Sequence, residues 1–185
     1  MENTAASQFL ALLVAGINLL IMIVSKLPPL KNKPAWKWVF RVTLIILILV
    51  AAAYVYLLTR PAVRITDPQE KAEVAIEEMV KGTSKNIPAS REIWLVLYSH
   101  PVRRYYPQDR PAEMETTGNW ASPCTIGIRE NTGVKFDILA VLTDARLGQV
   151  FRNYHSESAK NANWPGMEKL PEAAKIHHRI TVIRK

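Results

Sequence analysis

Two long stretches of this chain carry no charge at all, residues 3–25 and residues 42–59. Few features constrain a fold more. A helix of about 20 apolar residues matches the roughly 30 Å hydrocarbon core of a bilayer, and in lipid such a helix satisfies its own backbone hydrogen bonds. The first stretch holds Phe9, Leu10, Leu12, Leu13 and Val14, then the unbroken apolar residues 19–24, with Gly16 and Asn18 as mild interruptions. The second holds the Leu/Ile/Val run of residues 44–50, with Trp36 and Trp38 at one end and Tyr54 and Tyr56 near the other. Aromatic residues at both ends are the pattern of membrane–water interfaces. The expectation is a transmembrane helical hairpin over residues 1–60, with spans at about 5–25 and 39–59, followed by a soluble domain over residues 61–185.

A cleaved signal peptide fits the first stretch poorly. Its leading segment has Glu2 and no Lys or Arg, and no small-residue cleavage pattern follows Val24. Between the spans lie Lys26, Lys31, Lys33, Lys37 and Arg41 with no acidic residue, and Pro28, Pro29 and Pro34 break a continuous helix. Short basic loops stay cytoplasmic. The expected location is therefore the plasma membrane as a multi-pass protein, with loop 26–41 cytoplasmic and the soluble domain extracytoplasmic. Arg60 and Arg64, beyond the second span, pull the other way. Beyond Arg41 at the edge of the second, neither span holds Asp, Glu, Lys, Arg or His, which argues against an intramembrane proton or ion relay.

The net charge of +8 is concentrated near the membrane. From Arg60 onward, 19 Lys and Arg face 15 Asp and Glu, so no nucleic-acid duplex is expected as a partner. Cys124 is the single cysteine and forms no internal disulfide. No Cys/His spacing suggests zinc, and no cofactor is expected.

The soluble part reads as mainly β. The run Ile93-Trp94-Leu95-Val96-Leu97-Tyr98 is continuous, β-branched and aromatic, as a central strand would be. Val102 to Tyr106 reads as an edge strand bounded by Pro101 and Pro107. Short strands are expected at residues 63–66 and 125–128, and a stop at Gly82-Thr83-Ser84, while residues 74–81 fit a helix or a strand. A second strong strand covers residues 134–142. Thr143 or Asp144 then caps a helix to about Ala159, whose Leu147, Val150, Phe151 and Tyr154 recur at helical spacing. The alternating Arg179-Ile180-Thr181-Val182-Ile183 closes the sheet. Two transmembrane helices followed by a β-sandwich with one late helix is the expected fold class.

The succession Gly82-Thr83-Ser84, Ile93-Trp94-Leu95-Val96, Arg104-Tyr105-Tyr106-Pro107-Gln108, Gly118-Asn119-Trp120 and Lys135-Phe136-Asp137-Ile138 resembles an immunoglobulin-like β-sandwich module. Such modules occur at the ends of archaeal and bacterial membrane or signalling proteins. The likeness covers residues 63–185 and implies a fold; the family brings no activity with it. His100, Pro101, Cys124, His177 and His178 depart from its pattern.

Arg103, Arg104, Tyr105, Tyr106 and Gln108 form the most distinctive polar cluster. On a strand, Arg103 and Tyr105 share one face, and Arg104 and Tyr106 the other. A guanidinium beside a phenol ring suits a phosphate, a carboxylate or a sugar. The bland reading is a sandwich strand with one Tyr in the core. Trp120, after a Gly-Asn turn, is a further ligand-binding candidate whose plainer reading is a core plug. His177 and His178 face opposite sides of a strand and cannot easily share a metal. No Gly-x-Ser-x-Gly elbow and no phosphate-cradling glycine loop is present, so no catalytic residue is assigned.

These features lead to a membrane-anchored, non-enzymatic binding or interaction protein. Its partners would be the lipid bilayer and a protein, glycan or anionic small ligand, with a homo-oligomer left open. The alternative is a ligand-gated membrane effector of stress or anti-phage defence. Its domain would sense an anionic messenger, such as a cyclic nucleotide, through Arg103, Arg104 and Tyr106. Docking into a larger complex through Arg146, Arg152 and Lys160 is a third reading.

Overall fold

A computed structural model of the protein describes residues 34–185. The chain divides into two compact units, between Leu58 and Thr59. Helix α1 is Pro34–Thr59. A proline in the first helical turn lacks only an N–H that would have no partner there, so Pro34 opens the helix instead of breaking it. Its section Arg41–Thr59, of 19 residues, is long and apolar enough to cross a membrane. At 1.5 Å per residue it reaches roughly 28 Å, close to a hydrocarbon core, and Ile45, Ile48, Leu49, Leu57 and Leu58 are exposed along it.

The two-span architecture expected from the sequence is corrected here. Among the described residues Arg41–Thr59 is the one helix of membrane-crossing length. The first expected span, about 5–25, lies outside the described residues, as does the loop up to residue 33. That expectation rested on the absence of charge. The described helix joins that absence, over residues 42–59, to the Leu, Ile and Val run of residues 44–50.

Beyond Thr59 come nine strands and one long helix. The strands are β1 (Ala62–Asp67), β2 (Glu73–Val74), β3 (Glu77–Lys85), β4 (Arg91–Ser99), β5 (Arg104–Pro107), β6 (Glu113–Met114), β7 (Asn119–Thr125), β8 (Lys135–Asp144) and β9 (Lys175–Arg184). Helix α2 (Ala145–Asn161) lies between β8 and β9. They form a four-stranded sheet in the order β1-β3-β7-β6 and a five-stranded sheet in the order β2-β9-β8-β4-β5. All pairs are antiparallel except β2 with β9, which is parallel.

Alternation within the strands builds two cores. Ile93, Leu95 and Leu97 of β4, Phe136, Ile138 and Ala140 of β8, and Ile180 and Val182 of β9 meet Val63, Ile65, Val80, Trp120 and Cys124 of the other sheet. The opposite face of the five-stranded sheet buries Trp94, Val96, Leu139 and Val141 against Leu147 and Phe151 of α2. Trp94 and Phe151 meet edge to face, 5.5 Å between ring centres. The continuous apolar runs of β4 and β8 have this cause: both strands are covered on both faces. Asp144 caps α2, its Oδ1 accepting the Leu147 N–H at 2.9 Å.

Three local expectations change. Strand β3 runs straight through Gly82 to Lys85, because the Trp120 indole occupies the space a side chain would take. A Cβ on Gly82 would lie 2.1 Å from Trp120 Cζ2 and 2.3 Å from the Arg64 carbonyl oxygen. Residues 126–128 are not a strand; β7 ends at Thr125 and a 3-10 turn, Arg129–Asn131, follows. Strand β5 starts only at Arg104, since Arg103 sits in the preceding turn with a φ of 55° and its N–H on the Ser99 carbonyl.

Both sheets protect an exposed edge. The segment at Met167 pairs with Tyr105 of β5 through two backbone bonds of 2.9 and 2.8 Å. At β1, His178 Nδ1 accepts the Ile65 N–H at 3.3 Å. An edge N–H satisfied in this way is closed to strand addition.

Two outcomes follow. Gly82→Ala should lower the stability of the β-domain by about 3 kcal/mol or more, since neither the indole nor the β1 backbone can yield a full ångström; a denaturation midpoint shift of the full chain in detergent would measure it. His177 and His178 are held below their ordinary value of 6.5, each by burial first, then by Lys175 and Arg60 for His177 and by Arg64 for His178, with Glu70 opposing. The unfolded chain then takes up protons first as acid is added. Stability should fall as pH drops through 6.5 and level off below the folded-state values, and His177→Gln with His178→Gln should flatten that slope.

Candidate functional site

Strand register fixes where the sequence-nominated residues lie. Tyr106 stands opposite Leu97, and Tyr105 opposite Tyr98. Tyr105 therefore joins the α2 side of the sheet, its ring 4.8 Å from that of Tyr98, while Tyr106 packs on the core between the sheets. Arg103 is exposed in its turn and shares no strand face with Tyr105. Arg104 Nη1 pairs with Glu168 Oε1 at 3.1 Å. Gly166 lies against both Arg104 and Tyr106: a Cβ there would sit 2.7 Å from Arg104 Cβ and 2.8 Å from Tyr106 Cζ. The segment around Gly166 thus roofs these two residues.

Gln108 is buried and ties the two sheets together. Its Oε1 accepts the Thr125 N–H at 2.8 Å and its Nε2 donates to the Tyr106 carbonyl at 3.3 Å. Trp120 is 2% exposed, inside the core, and its indole N–H has no partner there. The six nominated residues are therefore not gathered on one open face: Arg103 and Tyr105 are apart, Arg104 is half-buried and paired with Glu168, Tyr106 packs on the core, and Gln108 and Trp120 are interior. The arginine–tyrosine pairing expected from alternation fails at Arg103, because the turn continues one residue longer than the proline positions suggested.

Another group comes together on the α2 side of the five-stranded sheet. Register aligns Thr181, Asp137, Tyr98 and Tyr105 in one row across β9, β8, β4 and β5. Asp137 is 3% exposed. Its Oδ1 accepts from the Thr181 hydroxyl at 2.9 Å, and His100 Nε2 lies 2.9 Å from the same oxygen. A carboxylate only accepts, which assigns the imidazole proton to Nε2. Arg179 Nε stands 3.8 Å from Oδ2, too far for a hydrogen bond. The His100 ring meets Tyr98 at 5.2 Å. His100 and Arg179 are each about half exposed, at 46% and 51% for their side chains.

This is a buried acceptor with one oxygen lightly engaged, flanked by an imidazole, a guanidinium and two phenol rings that reach solvent. Such a set can hydrogen-bond a hydroxyl-bearing or polar ligand while an aromatic ring covers its apolar side. It holds no activated nucleophile. Cys124 is fully buried and its thiol is pushed up to about 12, by burial first and by Glu78 second, so it stays protonated and unreactive. Among the described residues no group of three or more His, Cys, Asp and Glu is arranged to hold a metal ion.

Two open clefts lie elsewhere. One of about 400 Å³ is lined by Glu77, Gln108, Asp109, Arg110, Thr125 and His155, among others. One of about 490 Å³ is lined by Ala75, Ile76, Glu77, Arg184 and Lys185. The Arg184 side chain donates to the Val74 and Lys185 carbonyls. On α2, Arg152 is committed to Glu92 at 3.1 Å and lies over the Trp94 ring.

The Asp137 group escaped the sequence reading because His100, Asp137 and Thr181 are far apart in the chain and meet only through register. One signal was present: a carboxylate interrupting the otherwise apolar run Phe136-Asp137-Ile138-Leu139-Ala140. No protein-family model matches this chain, and no curated protein matches it.

Asp137→Ala should cost about 1–3 kcal/mol of stability by stranding the Thr181 hydroxyl and the His100 N–H. His100→Ala, on the exposed side of the same contact, should cost under about 1 kcal/mol. Chemical denaturation of the two variants side by side checks the order, and an equal loss in both would refute the burial-based account.

Proposed function

We propose that this protein is a membrane-anchored, non-enzymatic binding protein. Helix α1 anchors it, and the outer face of the five-stranded sheet around Asp137, His100, Arg179 and Tyr98 is its recognition surface. The observation that carries the anchoring is the Arg41–Thr59 section, of membrane-crossing length with its Leu, Ile and Val side chains exposed. A water-soluble setting would leave that surface unfavourably hydrated. The binding role rests on the half-open polar and aromatic row, and on the lack of any nucleophile paired with a base among the groups described above.

The strand order supports reading the β-domain as immunoglobulin-type. In that arrangement one sheet is A-B-E-D and the other carries G-F-C, with C′ added beside C in longer forms. Here β1-β3-β7-β6 follows the first order and β9-β8-β4-β5 the second. Helix α2 is then an insertion between the F and G positions. Five basic residues over 26–41 precede the span and Arg60 and Arg64 follow it, which favours a domain outside the cytoplasm. The messenger-gated reading would use Arg103, Arg104 and Tyr106; with Arg104 held by Glu168 and Tyr106 roofed by Gly166, the observations favour the binding reading.

The test is fractionation of cells making the full chain. The protein should stay in membranes through an alkaline carbonate wash and leave them only with detergent, and externally added protease should reach the β-domain in intact cells lacking an outer barrier. Release by carbonate would end the anchoring proposal.

A further inference from the structure

Basic side chains gather at the end of the β-domain that follows the helix in the chain. Arg60 comes directly after Thr59, the last residue of α1. Ala62 pairs with Lys85, which brings the end of β3 alongside the start of β1. The Asn86 side chain donates to the Arg60 carbonyl at 3.4 Å. Strand β9 adds to this rim through an irregularity. Ala140 pairs with His178 and Val141 with Ile176, so His177 is an extra, bulged residue.

A bulge shifts side-chain alternation by one. It turns Lys175, opposite Leu142, towards the face that packs on the other sheet, the face on which regular alternation from Ile180 already places His178, opposite Ala140. His178 meets β1 there, at Ile65. The lowered proton affinity of His177 and His178 agrees, since after burial its causes are Lys175 and Arg60 for the first and Arg64 for the second. Arg60, Arg64 and Lys175 make no ion pair among the described residues. The acidic neighbour, Glu70, accepts the Thr181 N–H at 2.9 Å.

We propose that this rim of Arg60, Arg64 and Lys175 is a docking surface for the phosphate-bearing headgroups of anionic lipids. The inference rests on the anchoring read above. A lysine or arginine next to an anionic membrane surface is attracted within a Debye length, and the covalent link through Arg60 keeps this end of the domain at the end of α1. Arg60, Arg64 and Lys175 on a folded rim meet a headgroup layer already organised, so binding restrains the domain and stabilises it by linkage.

The experiment uses the full chain in neutral-detergent micelles doped with phosphatidylglycerol or, at equal content, phosphatidylcholine. Phosphatidylglycerol should raise the unfolding midpoint of the β-domain by several degrees over phosphatidylcholine. The rise should vanish in high salt and in the exposed-side-chain variant Arg60→Gln/Arg64→Gln/Lys175→Gln. Lys175→Gln alone, which leaves β1 untouched, should remove part of it. Equal midpoints in the two lipids, or an undiminished rise in the variants, would overturn the proposal. An equal rise with inorganic phosphate at the same concentration would also overturn it, showing a small-anion site instead. Carbonate-resistant membrane retention without any phosphatidylglycerol effect would reject this inference alone and leave the anchor standing.

Discussion

The paired strands β4 and β8 bear the rest of the domain. Register from Ile93 opposite Leu142 to Leu97 opposite Ile138 places apolar side chains on both faces of this pair. A strand pair of that kind has no face it can offer to water, so it requires cover on two sides. The four-stranded sheet supplies one cover, with Trp120 lying across the bare backbone of Gly82. Helix α2 supplies the other, with Leu147 and Phe151 over Trp94, Val96, Leu139 and Val141. Each fully buried side chain of this size contributes about 1.5–3 kcal/mol. Losing either cover would expose a whole row of them.

The candidate site lies where the second cover gives out. Along the α2 side of the sheet the rows read Trp94 with Val141, then Val96 with Leu139, then Tyr98 with Asp137. The change from apolar to polar occurs over one two-residue step. Asp137 is still buried there, because Thr181, His100 and the Tyr98 ring close over it, but its neighbours reach solvent. The candidate face thus emerges from the same register that builds the core. Asp137, Thr181, Arg179 and Tyr98 are held on strands, while His100 lies in the turn after β4.

At the basic rim, function would depend on charge and lipid. The helix contributes an apolar length matched to a bilayer, and the β-domain contributes a basic rim at the residue where the helix ends. These two features would act on different parts of a membrane, the hydrocarbon and the headgroups. A single apolar helix fixes depth; unpaired arginine and lysine at a rim would limit how the attached domain can tumble. The His177 bulge matters because, without it, Lys175 would fall on the α2 side of the sheet, away from His178 and the edge of β1.

Much of this protein was legible from residue order. The apolar run ending at Thr59, the strands over residues 93–98 and 134–142, the Asp144 cap, the helix after it and the alternating residues 179–183 are all set by local periodicity and local hydrogen bonding, which neighbours in the chain decide. What tertiary structure alone decided is of another kind. Gly82 reads as a breaker until Trp120 fills its place, and Arg103 reads as a strand residue until the turn claims it. Trp94 reads as a core residue, yet only packing shows that its core is the one under α2. Asp137, His100 and Thr181 form a site only because pairing of β4, β8 and β9 sets His100 and Thr181 each 2.9 Å from Asp137 Oδ1. Cross-strand register depends on the sum of packing over two sheets and a helix, a non-local quantity that no window of sequence contains.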